Sequence, residues 1–157
     1  MRFYLKNGYE VNYDLNYFSL PSVDHISKIV IDAITIDSIT LEQFGKYYDD
    51  HFMHINWQNV FDYQKFIQDI TYFGAFKDSK LIGVLAMHKT GKIFYIHVDE
   101  NHRLNGIGEL LLHQGIQTLS PSQLSISFTN NASLSNFVRK LGFEKQALSQ
   151  YEPYLPL

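Results

Sequence analysis

The stretch that decides the reading is Val98-Asp-Glu-Asn-His-Arg103-Leu-Asn-Gly106-Ile-Gly108-Glu-Leu-Leu-Leu112. Before it, Lys92 to Val98 reads as a β-strand. After it, Ile107, Leu110, Leu111 and Leu119 form one apolar helical face, and Ser120-Pro121 stops the run. The spacing therefore predicts a strand, a short polar loop and a helix over Arg103 to Leu119 whose first turn carries two glycines. Glycines there permit close approach to the backbone, and the free N–H groups of a first turn carry partial positive charge. With Arg103 beside them they suit a phosphate or diphosphate. Leu111 stands where a dinucleotide fingerprint needs its third glycine, and Gly-Lys-Ser/Thr of a P-loop is missing.

Working outward, two β runs, Thr71 to Phe76 and Leu81 to His88, precede Lys92 to Val98 across turns at Asp78-Ser79-Lys80 and Thr90-Gly91, an antiparallel meander. Ser38 or Thr40, the latter followed by Gln43, can cap a helix through Leu41, Phe44 and Tyr47 or Tyr48 to about Phe52, and Phe61 to Ile70 repeats helical spacing. Lys28 to Ile36 reads as β-rich, with a short helix as the alternative. Leu124 to Phe128 follows the strand and its crossover helix, so it should lie parallel to Lys92 to Val98. Ala132 to Leu141 is a helix closed by Gly142, and Phe143 to Tyr151 a last strand. Residues Arg2 to Tyr13 suggest a hairpin around Lys6-Asn7-Gly8.

The chain has 157 residues, 45% hydrophobic and 18% charged, which fits one globular domain. It contains no cysteine, which excludes disulfide scaffolds, cysteine-ligated zinc and thiol catalysis and makes a cytoplasmic setting the simplest expectation. A net charge of −3 without long runs of one sign offers no field for nucleic acid or an anionic membrane. The start lacks the apolar core of a secretory signal. His51-Phe-Met-His54 lacks a third ligand at a recognisable distance, so no metal site is expected.

Arg103, Gly106 and Gly108 match the Arg/Gln-x-x-Gly-x-Gly/Ala pattern of the acetyl-CoA site of the GNAT superfamily of N-acyltransferases, and Asn131 followed across a helix by Gly142-Phe143 resembles a second block of that family. The resemblance spans roughly Ile29 to Tyr151. It implies an α/β (α+β) fold with a mixed, mostly antiparallel central sheet flanked by helices. Residues 26–157 would be the acyl-CoA-binding domain and residues 1–25 an N-terminal extension. The implied activity is transfer of an acetyl group from acetyl-CoA, as co-substrate, to the primary amine of a small molecule or peptide. A homodimer is an open assembly.

Carried over residue by residue, the resemblance gives the backbone of Ile96, His97 and Val98 to the pantetheine arm. The amides of Arg103, Leu104, Asn105, Gly106, Ile107 and Gly108 fall to the diphosphate. Asn131 contacts the arm or caps the following helix, and Arg139 and Lys140 lie near the 3′-phosphate or form a solvated face. Where the family often carries a tyrosine to protonate the leaving sulfur, this chain has Val138. Tyr95, Tyr151 and Tyr154 are the substitutes. Strand alternation puts Lys92, Phe94 and Ile96 on one face, with no acid or imidazole for a base there, and Tyr95 and His97 on the other. His97, Tyr95 and Glu100 remain the catalytic candidates, with Glu42 further out. The competing readings are an acyl-CoA-binding sensor or interaction module without turnover, and a small α/β protein whose glycines are only structural.

Overall fold

The computed structural model describes residues 10–24, 26–51 and 60–154. Its strands are β1 (Glu10–Leu20), β2 (Ile34–Ser38), β3 (Ile70–Lys77), β4 (Lys80–His88), β5 (Lys92–Val98), β6 (Leu124–Phe128) and β7 (Glu144–Tyr154). Its helices are α1 (Leu41–Asp50), α2 (Phe61–Gln64), α3 (Ile107–Leu119) and α4 (Ala132–Lys140). The strands form one sheet in the order β2-β3-β4-β5-β6-β1-β7. β5 and β6 run parallel and the other neighbours antiparallel, the mixed arrangement that the sequence suggests. Among the described residues, no helix is long and apolar enough to cross a membrane.

Local chemistry sets the ends of these elements. Asp78 and Ser79 take positive φ in the tight turn between β3 and β4. The Thr40 hydroxyl accepts from Gln43 N while the Gln43 side chain accepts from Thr40 N, a complete capping box on α1. Asn131 Oδ1 accepts from Leu134 N at 2.9 Å and starts α4.

Two apolar layers sandwich the sheet. α3 and α4 cover one face, where Leu111, Leu112 and Val138 meet Leu85, Met87, Ile93 and Ile96. α1 covers the other, where Phe44, Tyr47 and Tyr48 pack with Val84, Ala86, Phe94 and Tyr95. The strict alternation expected for β5 fails at one place. Ala86 stands opposite Tyr95 and Met87 opposite Ile93, so Phe94 is the extra residue of a β-bulge. It therefore joins Tyr95 on the α1 face, while Ile93 and Ile96 serve the α3 face.

Other expectations shift as well. The β run expected over Lys28 to Ile36 begins only at Ile34, because Ala33 turns at φ 65 just before it. The helix expected over Phe61 to Ile70 stops at Gln64. Phe66 is exposed, Asp69 takes φ 62, and Ile70 already belongs to β3, so an apolar spacing shared by two elements had read as one. The helix expected from Arg103 starts at Ile107, behind a 3-10 turn over Glu100–His102. The hairpin tip at Lys6-Asn7-Gly8 lies outside the described residues. Glu10–Leu20, expected within an appended segment, instead pairs with β6 on one side and β7 on the other.

Replacing Leu111, fully buried on α3, with alanine should cost about 3 kcal/mol, and removing the Thr40 cap as Thr40→Ala about 1 kcal/mol. Urea unfolding midpoints with unchanged slopes are the check.

Candidate functional site

β5 and β6 pair only at Lys92 with Ser125 and Ile93 with Ile126, and beyond that point their ladder ends. The Asp99 N–H donates to the Ile82 carbonyl on the β4 side. By the alternation of an antiparallel ladder, the N–H and C=O groups of Ile96 and Val98 then point away from β4, into the opening. A cavity of ≈ 390 Å³ lies there. Ile96, His97 and Val98 form one wall, and Asn131, Ser133 and Phe137 from the start and inner face of α4 form another.

The turn from Arg103 to Gly108 closes its end. Leu104 (φ 63) and Gly106 (φ 79) are both left-handed, and Gly106 occupies the N-cap of α3 with no side chain to satisfy the first N–H groups. Leu104, Gly106, Ile107 and Gly108 all line the cavity. The Asn105 amide group instead donates to the His102 carbonyl at 3.3 Å, and Asn105 is not part of the wall. The two glycines answer different demands. Gly106 supplies the left-handed backbone, whereas a Cβ on Gly108 would sit 2.9 Å from Phe137 Cζ, so its missing side chain lets α4 close on α3. His102 also lines the cavity, and its buried Nδ1 has no protein partner.

Arg103 lines the cavity too, with its side chain turned back along β5. Its Nε donates to the Val98 carbonyl at 2.8 Å, and Nη2 lies 3.0 Å from His97 Nε2. A guanidinium only donates, so Nε2 is the acceptor and Nδ1 carries the ring proton. His97 Nδ1 stands 2.9 Å from Tyr47 Oη, which donates its own proton to Asp99 Oδ1 at 2.6 Å. His51 completes the cluster, with Nε2 3.1 Å from Asp99 Oδ1 and Nδ1 2.8 Å from the Tyr47 carbonyl. Burial, then Arg103 and His51, press the His97 pKa down to about 4 against the opposing pull of Asp99. Burial and the bond to Asp99 push Tyr47 far above the ordinary phenol range. Tyr47 and Asp99 were not singled out as site residues from the sequence, and His51 only as half of a rejected metal pair, although Tyr47 and His51 are one helical turn apart and so share a face of α1.

The remaining candidates separate. Tyr95 is buried under α1, raised by that burial, and its hydroxyl donates to the His51 carbonyl at 3.4 Å, so it faces away from the cavity. Glu100 is exposed and only approaches Arg103 at 4.0 Å. Glu42 is an exposed residue in the first turn of α1. Val138 is buried beneath α4. Tyr151 and Tyr154 belong to β7, which β6 and β1 separate from β5. Lys140 lines the cavity and binds Glu109 at 3.0 Å, while Arg139 lies over the Phe18 ring. His54 lies outside the described residues.

The sequence matches the family described as an acetyltransferase (GNAT) domain over residues 37–157. No curated protein matches it. Similar solved folds include a functionally unknown conserved protein from Staphylococcus epidermidis, with TM-score 0.73, 13% identity and coverage of 98% of this chain and 65% of that one. GCN5-related N-acetyltransferases from Sphaerobacter thermophilus (TM-score 0.65, 13% identity, 99% of this chain and 56% of that one) and from Kribbella flavida (TM-score 0.64, 13% identity, 92% and 59%) share the fold. The chain thus spans between about half and two thirds of the length of these proteins.

Folding holds His97 neutral, so between its ordinary pKa of 6.5 and about 4 the unfolded chain binds more protons than the folded one. Stability present above pH 6.5 should fall as pH drops through this window, by on the order of 3 kcal/mol. Urea midpoints across the window test this, and His97→Gln should flatten their slope.

Proposed function

Since the chain belongs to the GNAT acetyltransferase family, we propose that it moves an acyl group from acetyl-CoA to a primary amine, on a small molecule or a peptide, by direct transfer in a ternary complex. One observation carries this reading: a stretch of strand edge at Ile96 and Val98 that no neighbouring strand covers, its Val98 carbonyl held only by the Arg103 side chain, leads straight to an uncapped helix start. The first can hold the amides of a pantetheine arm as an added strand would, and the second a diphosphate through main-chain N–H groups.

Acyl-CoA would supply the thioester carbonyl and a thiol leaving group of pKa about 8.5, which departs without strong help from an acid. That suits a site where Val138 takes the usual tyrosine's place. An N–H of Ile96 or Val98 facing the opening can stabilise negative charge on the carbonyl oxygen. An amine with a pKa of about 10.4 needs roughly 4 to 5 kcal/mol to shed its proton at pH 7. With α3 and α4 on one face of the sheet, the acceptor's approach is from the α1 face, where His97, Tyr47, His51 and Asp99 gather.

Acetyl-CoA at a hundred times its Kd should stabilise the chain by about 2.7 kcal/mol, read as a rise in Tm. Gly106→Val, forced to φ 79 with Ile29 Cδ1 3.3 Å from its Cβ, should lose most of that rise. No rise with millimolar acetyl-CoA would remove the reading. Binding with no thiol release across a panel of amines would convert it to that of an acyl-CoA sensor.

A further inference from the structure

The geometry points to His97 as the group that takes the proton from the acceptor amine, oriented through Tyr47 by Asp99, with Arg103 covering or uncovering its Nε2 according to whether a diphosphate draws the guanidinium away. This rests on the acyl-CoA reading above.

The relay is already in line. Nδ1–H of His97 faces Tyr47 Oη at 2.9 Å, and Tyr47 donates onward to Asp99 at 2.6 Å, so a proton gained at Nε2 would be balanced by a carboxylate through one hydroxyl. The obstacle is Arg103, because a nitrogen accepting from a guanidinium cannot accept from an amine. The present partners of that guanidinium are a neutral carbonyl and a neutral imidazole, and its nearest carboxylate, on exposed Glu100, is 4.0 Å away. Both present bonds already have an ionised donor, and a diphosphate adds to such bonds the attraction of its own negative charge, which neither neutral partner offers. The Arg103 side chain is 37% exposed and begins the very turn whose free N–H groups face the cavity, so a diphosphate held there can outcompete both partners.

Its departure would free two acceptors together, the Val98 carbonyl and His97 Nε2. The groups facing the ring would then be Tyr47 and His51 from α1, Tyr95 on its own strand, and Asp99 as the sole anion among them. Losing the neighbouring positive charge makes the imidazole a better base. The ammonium proton passes to Nε2 and from there to water. The freed nitrogen pair bonds to the carbonyl carbon, the carbon–sulfur bond breaks with its pair on sulfur, and the proton shed as the amide forms ends on that sulfur.

The test is the ring-nitrogen NMR titration of His97 in the whole chain with and without CoA. The expected result is a neutral ring protonated at Nδ1 down to about pH 4 without CoA, and an apparent pKa higher by a unit or more with it. Arg103→Gln should raise the value without CoA and make CoA's effect small, whereas Arg103→Lys should restore part of the difference. His97→Gln should lower kcat by about a hundredfold or more with the KM for acetyl-CoA little changed. Amide shifts at Leu104 to Gly108 on adding CoA, with the His97 titration unmoved, would overturn the inference and leave the acyl-CoA reading standing. No CoA-induced shift anywhere would overturn that reading itself. The titration of the unsubstituted chain decides the matter even if a variant fails to fold.

Discussion

An interior strand normally satisfies both of its edges, and β5 does not. Two residue pairs join it to β6 before the ladder stops, leaving the main-chain groups of Ile96 and Val98 facing outward in the middle of the sheet. Unpaired backbone groups shut away from water are expensive, so a sheet can stay open here only if they find side-chain partners, as the Val98 carbonyl does in Arg103, or the opening is wet or receives something that pairs with them. Much of the surrounding architecture follows from keeping the gap apart. α4 stands across it, Phe137 lies against Gly108, and α3 starts at its mouth.

The bulge at Phe94 is the second half of the same arrangement. An extra residue on β5 rotates the strand's facing by one position, which places Phe94 and Tyr95 together under α1 and returns Ile96 to the α3 side. His97, two residues on from Tyr95, reaches the α1 face at the height of Tyr47 and just before the strand ends, where Asp99 can meet both Tyr47 and His51. The charged and imidazole groups of the cluster gather at this end of the α1 layer. Phe44, with Tyr72 and Tyr95 against its ring, fills the rest.

Much of the fold could be read from the chain because its signals are local. Thr40 with Gln43, Asn131 before α4 and Gly142 after it each act within a turn of where they stand, and β5 and β6 have the bounds their sequences suggest. The glycine turn was legible for the same reason, although only coordinates separate the backbone demand at Gly106 from the packing demand at Gly108. The polar cluster was not legible. Tyr47 and His51 come from one stretch and His97, Asp99 and Arg103 from another some fifty residues on, and only the tertiary fold brings the two together. Arg103 illustrates the limit most plainly. Its residue type suits an anion, yet its side chain turns back toward the strand from which the loop came.

β1 has a further consequence for how the molecule comes together. It lies between β6 and β7, so the earliest described strand in the chain holds together the two latest. Such distant partners close only after nearly everything between them has been made, and topology of this kind slows folding. During synthesis the meander from β2 to β5 can settle first, while β1 waits without neighbours until the ribosome has released the far end. A fragment starting at residue 26 would leave β6 and β7 with the space between them unfilled, two bare edges open to strands of other molecules.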